Sequence, residues 1–86
     1  MVLKSLQHLD TEDLVIRKVA GELKISATLL NPYTDLIDDL YLDNIDRDLL
    51  IARLERDFNV VLSHEEVARI QTIRDASQFI QLHKAS

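Results

Sequence analysis

The clearest pattern of apolar and polar residues in this chain predicts one helix near its centre. Apolar side chains recur at Leu50, Leu54 and Phe58, with Ile51 beside them, and this is the spacing of one buried helical face. The run is long enough for about four turns. Charged residues fill much of the opposite face, which we expect to be solvated: Arg53, Glu55, Arg56 and Asp57.

The start of this central helix carries strong capping signals. Asp43 or Asn44 can cap it, because both side chains accept hydrogen bonds from the unpaired N–H groups of a first turn. Asp46 adds negative charge at the positive end of the helix dipole. We therefore expect the helix to begin at this point.

A first helix precedes the central one. Asp10 or Thr11 can cap it, and the pattern continues to about Lys24. Its predicted apolar face consists of Val15, Ile16, Val19, Ala20 and Leu23.

Two further helices follow the central one. Ser63-His64-Glu65-Glu66 is a capping box that opens a short third helix to about Ile70. Thr72-Ile73-Arg74-Asp75 resembles another, opening a last helix to about His83. We expect the inner face and edges of that last helix to be Ala76, Phe79, Ile80 and Leu82.

The segments outside these helices are of two kinds. Residues 25–42 form a long connection that contains Asn31-Pro32 and, from Leu29 onward, six leucines or isoleucines, so we expect a packed loop with short helical turns. Residues 1–10 form an N-terminal extension with Leu3, Leu6 and Leu9 at intervals of three. This extension is either a helical turn packed on the bundle or a semi-ordered tail.

Length and composition favour a single all-α domain, covering residues 11–86. The chain has 86 residues with one Gly, one Pro and no Trp, which leaves little turn or strand punctuation. It has no cysteine and no apolar run long enough to span a membrane. We therefore expect a soluble, cytoplasmic monomer with a four-helix bundle fold.

The charge distribution bears on partners. Fifteen acidic and ten basic residues give a net charge of −5, and six aspartates lie between positions 35 and 48. Such a cluster repels a phosphate backbone, so nucleic acid is not an expected partner. A basic protein surface would complement it, as would a weakly bound divalent cation at Asp35, Asp38 and Asp39, although a solvated acidic loop explains it equally well.

Other metal or catalytic sites are not indicated. Asn44, Asp46, Asp48 and Glu55 superficially follow a calcium-loop spacing, but Leu49 replaces the required glycine and the span has a helical pattern. The three histidines are scattered: His8, His64 and His83. Without a nucleophile–base or paired-carboxylate pattern, we expect neither a specific metal site nor enzyme activity.

The order of elements and the residues around the central helix resemble the acyl carrier protein family, over roughly residues 11–83. In that family the long loop ends in an Asp-Leu-Gly-x-Asp-Ser-Leu-Asp type of sequence, and the next helix ends in Leu-Glu-x-x-Phe. The corresponding runs here are 39–46, read as DLYLDNID, and 54–58, read as LERDF. The resemblance implies a bundle with a long packed loop between helices 1 and 2 and a short helix 3.

The departures from this resemblance concern the chemistry. The family's serine takes up a 4′-phosphopantetheine arm from coenzyme A, and the matching position here is Asn44. A carboxamide is not a comparable nucleophile, so no cofactor is expected on this chain. Tyr41 replaces the family glycine, which predicts that φ is not positive there. Asp48 and Ala52 replace larger apolar residues.

Two functions remain open at this point. The first is a carrier-protein-like binding module that docks through its central helix on a partner such as a biosynthetic synthase or acyltransferase. The second is an authentic acyl carrier of fatty-acid or polyketide-type biosynthesis whose attachment serine was substituted. The predicted partner-binding residues are Asp43, Ile45, Asp46, Arg47, Arg53 and Arg56.

Overall fold

The computed structural model describes residues 10–84, and within this range the chain forms four α-helices joined by one long and two short connections. The N-terminal leucines singled out above, and His8, lie outside the described residues. The helices are α1 (Thr11–Leu23), α2 (Asn44–Phe58), α3 (His64–Ala68) and α4 (Ile73–Lys84). Residues 10–84 contain no β-strand, only an isolated bridge between Asp35 and Thr72.

The first helix begins and ends where local chemistry favours it. Asp10 is the N-cap, and its Oδ1 accepts a hydrogen bond from the Asp13 N–H at 2.8 Å. Lys24 ends the helix in the left-handed region, with φ of 58°. This position is often glycine, because a side chain costs free energy in that conformation.

The central seam predicted for α2 is confirmed. Leu50, Ile51 and Leu54 are all buried, and Leu54 is only 1% exposed. Phe58 is partly buried against the same core. The opposite face is less uniformly solvated than expected, because Glu55 is half-buried and its Oε2 accepts the Leu62 N–H at 2.8 Å.

Both predicted capping arrangements after α2 are present. The Ser63 hydroxyl accepts the Glu66 N–H at 3.1 Å, while Glu66 Oε1 accepts the Ser63 N–H at 2.9 Å. Thr72 and Asp75 make the same reciprocal pair before α4, both at 3.1 Å. These bonds satisfy N–H groups that a helix start leaves unpaired.

The long connection between α1 and α2 is packed, as its leucines predicted. It contains a 3-10 turn at Ala27–Leu29 and buries Leu30 and Leu36. Its backbone is tied to the segment before α4, since the Leu36 N–H donates to the Gln71 carbonyl at 2.9 Å and the Ile73 N–H donates to the Thr34 carbonyl at 3.1 Å. This tie fixes the loop that leads into the start of α2.

The core lies between α1, α2, α4 and the loop. The most extensive helix contact is that of α1 with α4. One prediction for α4 is wrong: Leu82 is 62% exposed, whereas Ala76 and Ile80 are buried. No helix within residues 10–84 is both long and apolar enough to cross a bilayer.

Candidate partner-docking site on the central helix

The N-terminus of α2 is capped by Asp43. Its backbone is extended, with φ of −84°, and its Oδ1 accepts the Asp46 N–H at 2.7 Å. Asn44 is therefore the first residue of the helix, and it is exposed. The hypothesis that Asn44 itself caps α2 is wrong, because Asp43 makes the capping bond to the N–H three residues on and Asn44 already lies within the helix.

Tyr41 contradicts the conformation expected from its side chain. Its φ is 58°, which places it in the left-handed region that glycine enters most easily. The N–H of the next residue, Leu42, donates to the Leu36 carbonyl at 3.4 Å, and this bond helps to hold the turn. The chain thus keeps the backbone turn that a glycine would make and accepts strain at Tyr41, whose side chain is 88% exposed.

Three of the predicted partner-binding residues lie together at the start of α2. Asp43, Ile45 and Asp46 are exposed, and Ile45 is 71% exposed. Among residues 10–84, neither Asp43 nor Asp46 takes part in an ion pair. This end of the helix therefore offers uncompensated negative charge beside an apolar side chain.

The three predicted arginines are each engaged within the domain. Arg47 is largely covered and its Nη2 contacts Asp48 Oδ1 at 3.0 Å. Arg56 contacts its neighbour Asp57 at 3.5 Å. Arg53 Nη1 donates to Glu22 Oε1 on α1 at 2.6 Å, and this hydrogen bond raises the pKa of Arg53 above its ordinary value. The basic part of the predicted surface is thus largely neutralised by its own neighbours.

An exposed apolar stripe along α2 was not predicted. Ile45 and Leu49, which is 54% exposed, are one turn apart, and exposed Ala52 continues the same face. Tyr41, which is also exposed, lies four residues before Ile45 in the sequence but outside the helix. The signal was available in the sequence, because a helix that buries Leu50 and Leu54 must turn Ile45 and Leu49 to another face.

The aspartates of the long loop make local backbone bonds. Asp35 Oδ1 accepts the N–H groups of Ile37 and Asp38 at 2.9 and 2.8 Å, and Asp39 Oδ2 accepts the Asp35 N–H at 2.8 Å. Within residues 10–84, no three carboxylate or imidazole side chains come together as a set of metal ligands. Weak divalent-cation binding at Asp35, Asp38 and Asp39 stays a prediction, with these turns as a sufficient structural role.

A small four-helix bundle whose long packed loop delivers an exposed helix start defines a carrier-type domain. Comparison with known proteins agrees: the family model described as phosphopantetheine attachment site matches residues 13–80. The chain therefore belongs to this family of carrier domains.

Curated relatives support the same assignment. The chain is 35% identical over 66 residues to the acyl carrier protein of Solidesulfovibrio magneticus, covering 77% of this chain and 85% of that protein. It is 30% identical over 76 residues to the acyl carrier protein of Helicobacter hepaticus, covering 88% and 100%. A third similar protein, the acyl carrier protein of Clostridium acetobutylicum, is 32% identical over 65 residues, covering 76% and 84%.

The residues present do not fit covalent attachment of the family's phosphopantetheine group. Attachment needs a hydroxyl that can become a nucleophile, and the exposed side chain at the start of α2 is the Asn44 carboxamide. The serines elsewhere in residues 10–84 have structural roles, since Ser26 and Ser63 cap helical turns and Ser77 is buried. Within residues 10–84, the exposed position at the start of α2 therefore presents an amide and not a hydroxyl.

Proposed function

We propose that this chain is a carrier-protein-like binding module that does not carry 4′-phosphopantetheine. The single observation that carries this proposal is the amide of Asn44, exposed at the first position of α2 where the resemblance places the attachment serine. The domain performs no catalysis itself. Its role is in the cytoplasm, as a monomer that engages an enzyme of fatty-acid or polyketide-type biosynthesis, a synthase or an acyltransferase.

The proposed contact with the partner combines charge and apolar area. Asp43 and Asp46 supply negative charge, and the stripe of Ile45 and Leu49 supplies exposed aliphatic surface. A partner that presents basic side chains around a shallow apolar patch complements both features. The arginines predicted for this surface contribute less than expected, because Arg53 and Arg47 are held by acidic neighbours.

The experiment is intact-mass spectrometry after incubation with coenzyme A, Mg²⁺ and a broad-specificity phosphopantetheinyl transferase. The protein as it stands should keep its mass, because the position offers no hydroxyl. The Asn44→Ser variant is the informative comparison, and Asn44→Ala is its matched control, since it changes the same exposed position without adding a nucleophile. A phosphopantetheine-sized increment on the unaltered protein would overturn the proposal.

The Asn44→Ser variant also separates the two functions left open by the sequence. Ready modification means that the surface around position 44 is still recognised, which favours a carrier that differs only at its attachment atom. Refusal means that Tyr41, Asp48 and Ala52 have altered the surface for a different partner, which favours the binding module. A far-ultraviolet circular dichroism spectrum of each variant establishes that the comparison is made between folded proteins.

A further inference from the structure

A cleft lies between the end of α1 and the face of α2 that is turned toward it. The ion pair between Arg53 on α2 and Glu22 on α1 spans the two helices, and both residues line the cleft. Its volume is about 310 Å³, at the small end of the roughly 300 to 1,000 Å³ of small-molecule sites. A recess of this size suits a protruding side chain better than a drug-sized ligand. We name it the α1–α2 cleft.

Four leucines give the α1–α2 cleft its apolar lining: Leu23 from α1, Leu42 from the loop, and Leu49 and Leu50 from α2. Leu50 is buried and Leu23 and Leu42 are partly buried, whereas Leu49 is 54% exposed. An aliphatic occupant would remove the exposed part of Leu49 from water, which is favourable. Leu49 also belongs to the exposed stripe with Ile45, so the cleft is continuous with the partner surface proposed for α2.

The charges of the α1–α2 cleft select a basic neighbour for that aliphatic group. Arg53 Nη1 donates to Glu22 Oε1 at 2.6 Å, so the positive charge in the lining is already balanced. Asp46, which also lines the cleft, is exposed and makes no ion pair in the part of the chain that the structure describes. The cleft therefore carries a surplus negative charge one turn from Leu49, which attracts a cation and repels a carboxylate.

We propose that the α1–α2 cleft receives an aliphatic side chain from the partner's docking segment, while an adjacent basic side chain of that segment pairs with Asp46. The occupant is thus a protein segment in which an aliphatic and a basic residue are neighbours. The proposal rests on the proposed function for the existence of a protein partner, and it extends the contact from α2 onto Leu23 of α1 and Leu42 of the loop.

The experiment titrates the protein with three blocked tripeptides and follows its backbone amide resonances by nuclear magnetic resonance. Arg-Leu-Arg carries both features, Arg-Ser-Arg keeps the charge, and Glu-Leu-Glu keeps only the aliphatic side chain. Arg-Leu-Arg should shift the amides of Leu23, Leu49 and Leu50 in a saturable way. Arg-Ser-Arg should bind at least about fivefold more weakly, because it buries no aliphatic group. Glu-Leu-Glu should bind more weakly still, because its carboxylates face Asp46.

Leu49→Ser is the decisive variant, since it removes the exposed aliphatic group of the cleft. It should reduce the affinity for Arg-Leu-Arg to that for Arg-Ser-Arg. Val61→Ser is the matched control, because Val61 is also an exposed aliphatic residue, 80% exposed, that does not line the cleft. It should leave both affinities unchanged. Undiminished binding of Arg-Leu-Arg to Leu49→Ser would overturn the proposal, as would equal binding of Glu-Leu-Glu and Arg-Leu-Arg to the parent chain.

The proposed function and the cleft fail in different experiments. If the unaltered protein gains a phosphopantetheine-sized mass while Arg-Leu-Arg still binds as expected, the proposed function is overturned and the assignment of the cleft is supported. If the protein keeps its mass but Arg-Leu-Arg causes no saturable shifts at Leu23, Leu49 and Leu50, the assignment of the cleft alone is overturned.

Discussion

Asp43 and Asp46 are joined by a hydrogen bond of 2.7 Å, from the Asp46 backbone N–H to the Asp43 carboxylate. This bond makes Asp43 the cap of α2 and leaves the neighbouring Asn44 side chain without a role in starting the helix. Asp43 therefore stabilises the helix start, while Asn44 occupies the position that matters for attachment chemistry. From the sequence alone, either residue could have been the cap.

The first prediction follows from that separation. Asp43→Ala should lower the free energy of unfolding by about 1 kcal/mol, because an N–H of the first turn loses its acceptor. Asn44→Ala should change it by less than about 0.5 kcal/mol, as expected for an exposed position with no such bond. Urea titration of the two variants makes the comparison. A larger loss for Asn44→Ala than for Asp43→Ala would show that the cap has been assigned to the wrong residue.

A second prediction concerns the central seam. Leu54 is 1% exposed in the middle of α2, so Leu54→Ala should cost about 2 to 5 kcal/mol through lost burial and a residual cavity. Arg53→Ala is the matched control one residue away. It removes a surface ion pair with Glu22 and should cost less than about 1 kcal/mol. Equal losses in denaturant titration would contradict the helix register.

Features of the site that depend on sequence periodicity could be predicted from the sequence, whereas features that depend on backbone or tertiary geometry could not. The buried face of α2 follows from periodicity, because a 3.6-residue repeat determines which side chains share a face. The choice between Asp43 and Asn44 as cap did not, because both side chains can accept the same bond and only backbone geometry selects one. The exposure of Leu82 depends on how α4 meets α1, which is a tertiary property that its apolar character does not reveal.

Tyr41 shows a different limit. Its side chain argued against positive φ, yet φ is 58° and both neighbours are hydrogen-bonded within the loop: the Leu40 N–H donates to the Asp35 carbonyl at 3.2 Å, and the Leu42 N–H donates to the Leu36 carbonyl. Tertiary structure therefore overrides a local preference worth only about 1 to 2 kcal/mol. The resemblance to a family with glycine at this position contained the better signal, since it indicated a backbone turn there that the residue type of Tyr41 did not.

A third prediction concerns pH and the short helix α3. Glu66 accepts the Ser63 N–H and is also bonded by His83 Nε2 at 2.9 and 3.0 Å. The Ser63 backbone bond first, and the His83 bond second, lower the pKa of Glu66 below its ordinary value of 4.5. The folded state therefore favours the charged form of the Glu66 carboxylate more than the unfolded state does. Its stabilising contribution is fully present above pH 4.5 and is lost as pH falls through the lower pKa of the folded state.

The measurement for Glu66 compares the unfolding midpoint of the parent chain with that of Glu66→Gln across the acidic range. The parent should be the more stable at pH 6, where Glu66 is charged in both folded and unfolded states. The difference should narrow below about pH 4.5, as the carboxylate becomes protonated and the two side chains become alike. A difference that stays constant from pH 6 to pH 3 would mean that the charge of Glu66 does not contribute.

The last prediction concerns the strained turn that leads into α2. Tyr41→Gly should raise the free energy of unfolding by about 0.5 to 1 kcal/mol, because glycine relieves the cost of φ at 58° while a side chain that is 88% exposed gives up little packing. Lys24→Gly, at the same φ after α1, should give a similar gain. Asn59→Gly should give less, since asparagine tolerates the left-handed region better than most residues. Thermal and urea unfolding provide the values. Should Tyr41→Gly instead destabilise the domain while Lys24→Gly stabilises it, the Tyr41 ring must make contacts that compensate for its backbone, and the strain assigned to this turn would be overestimated.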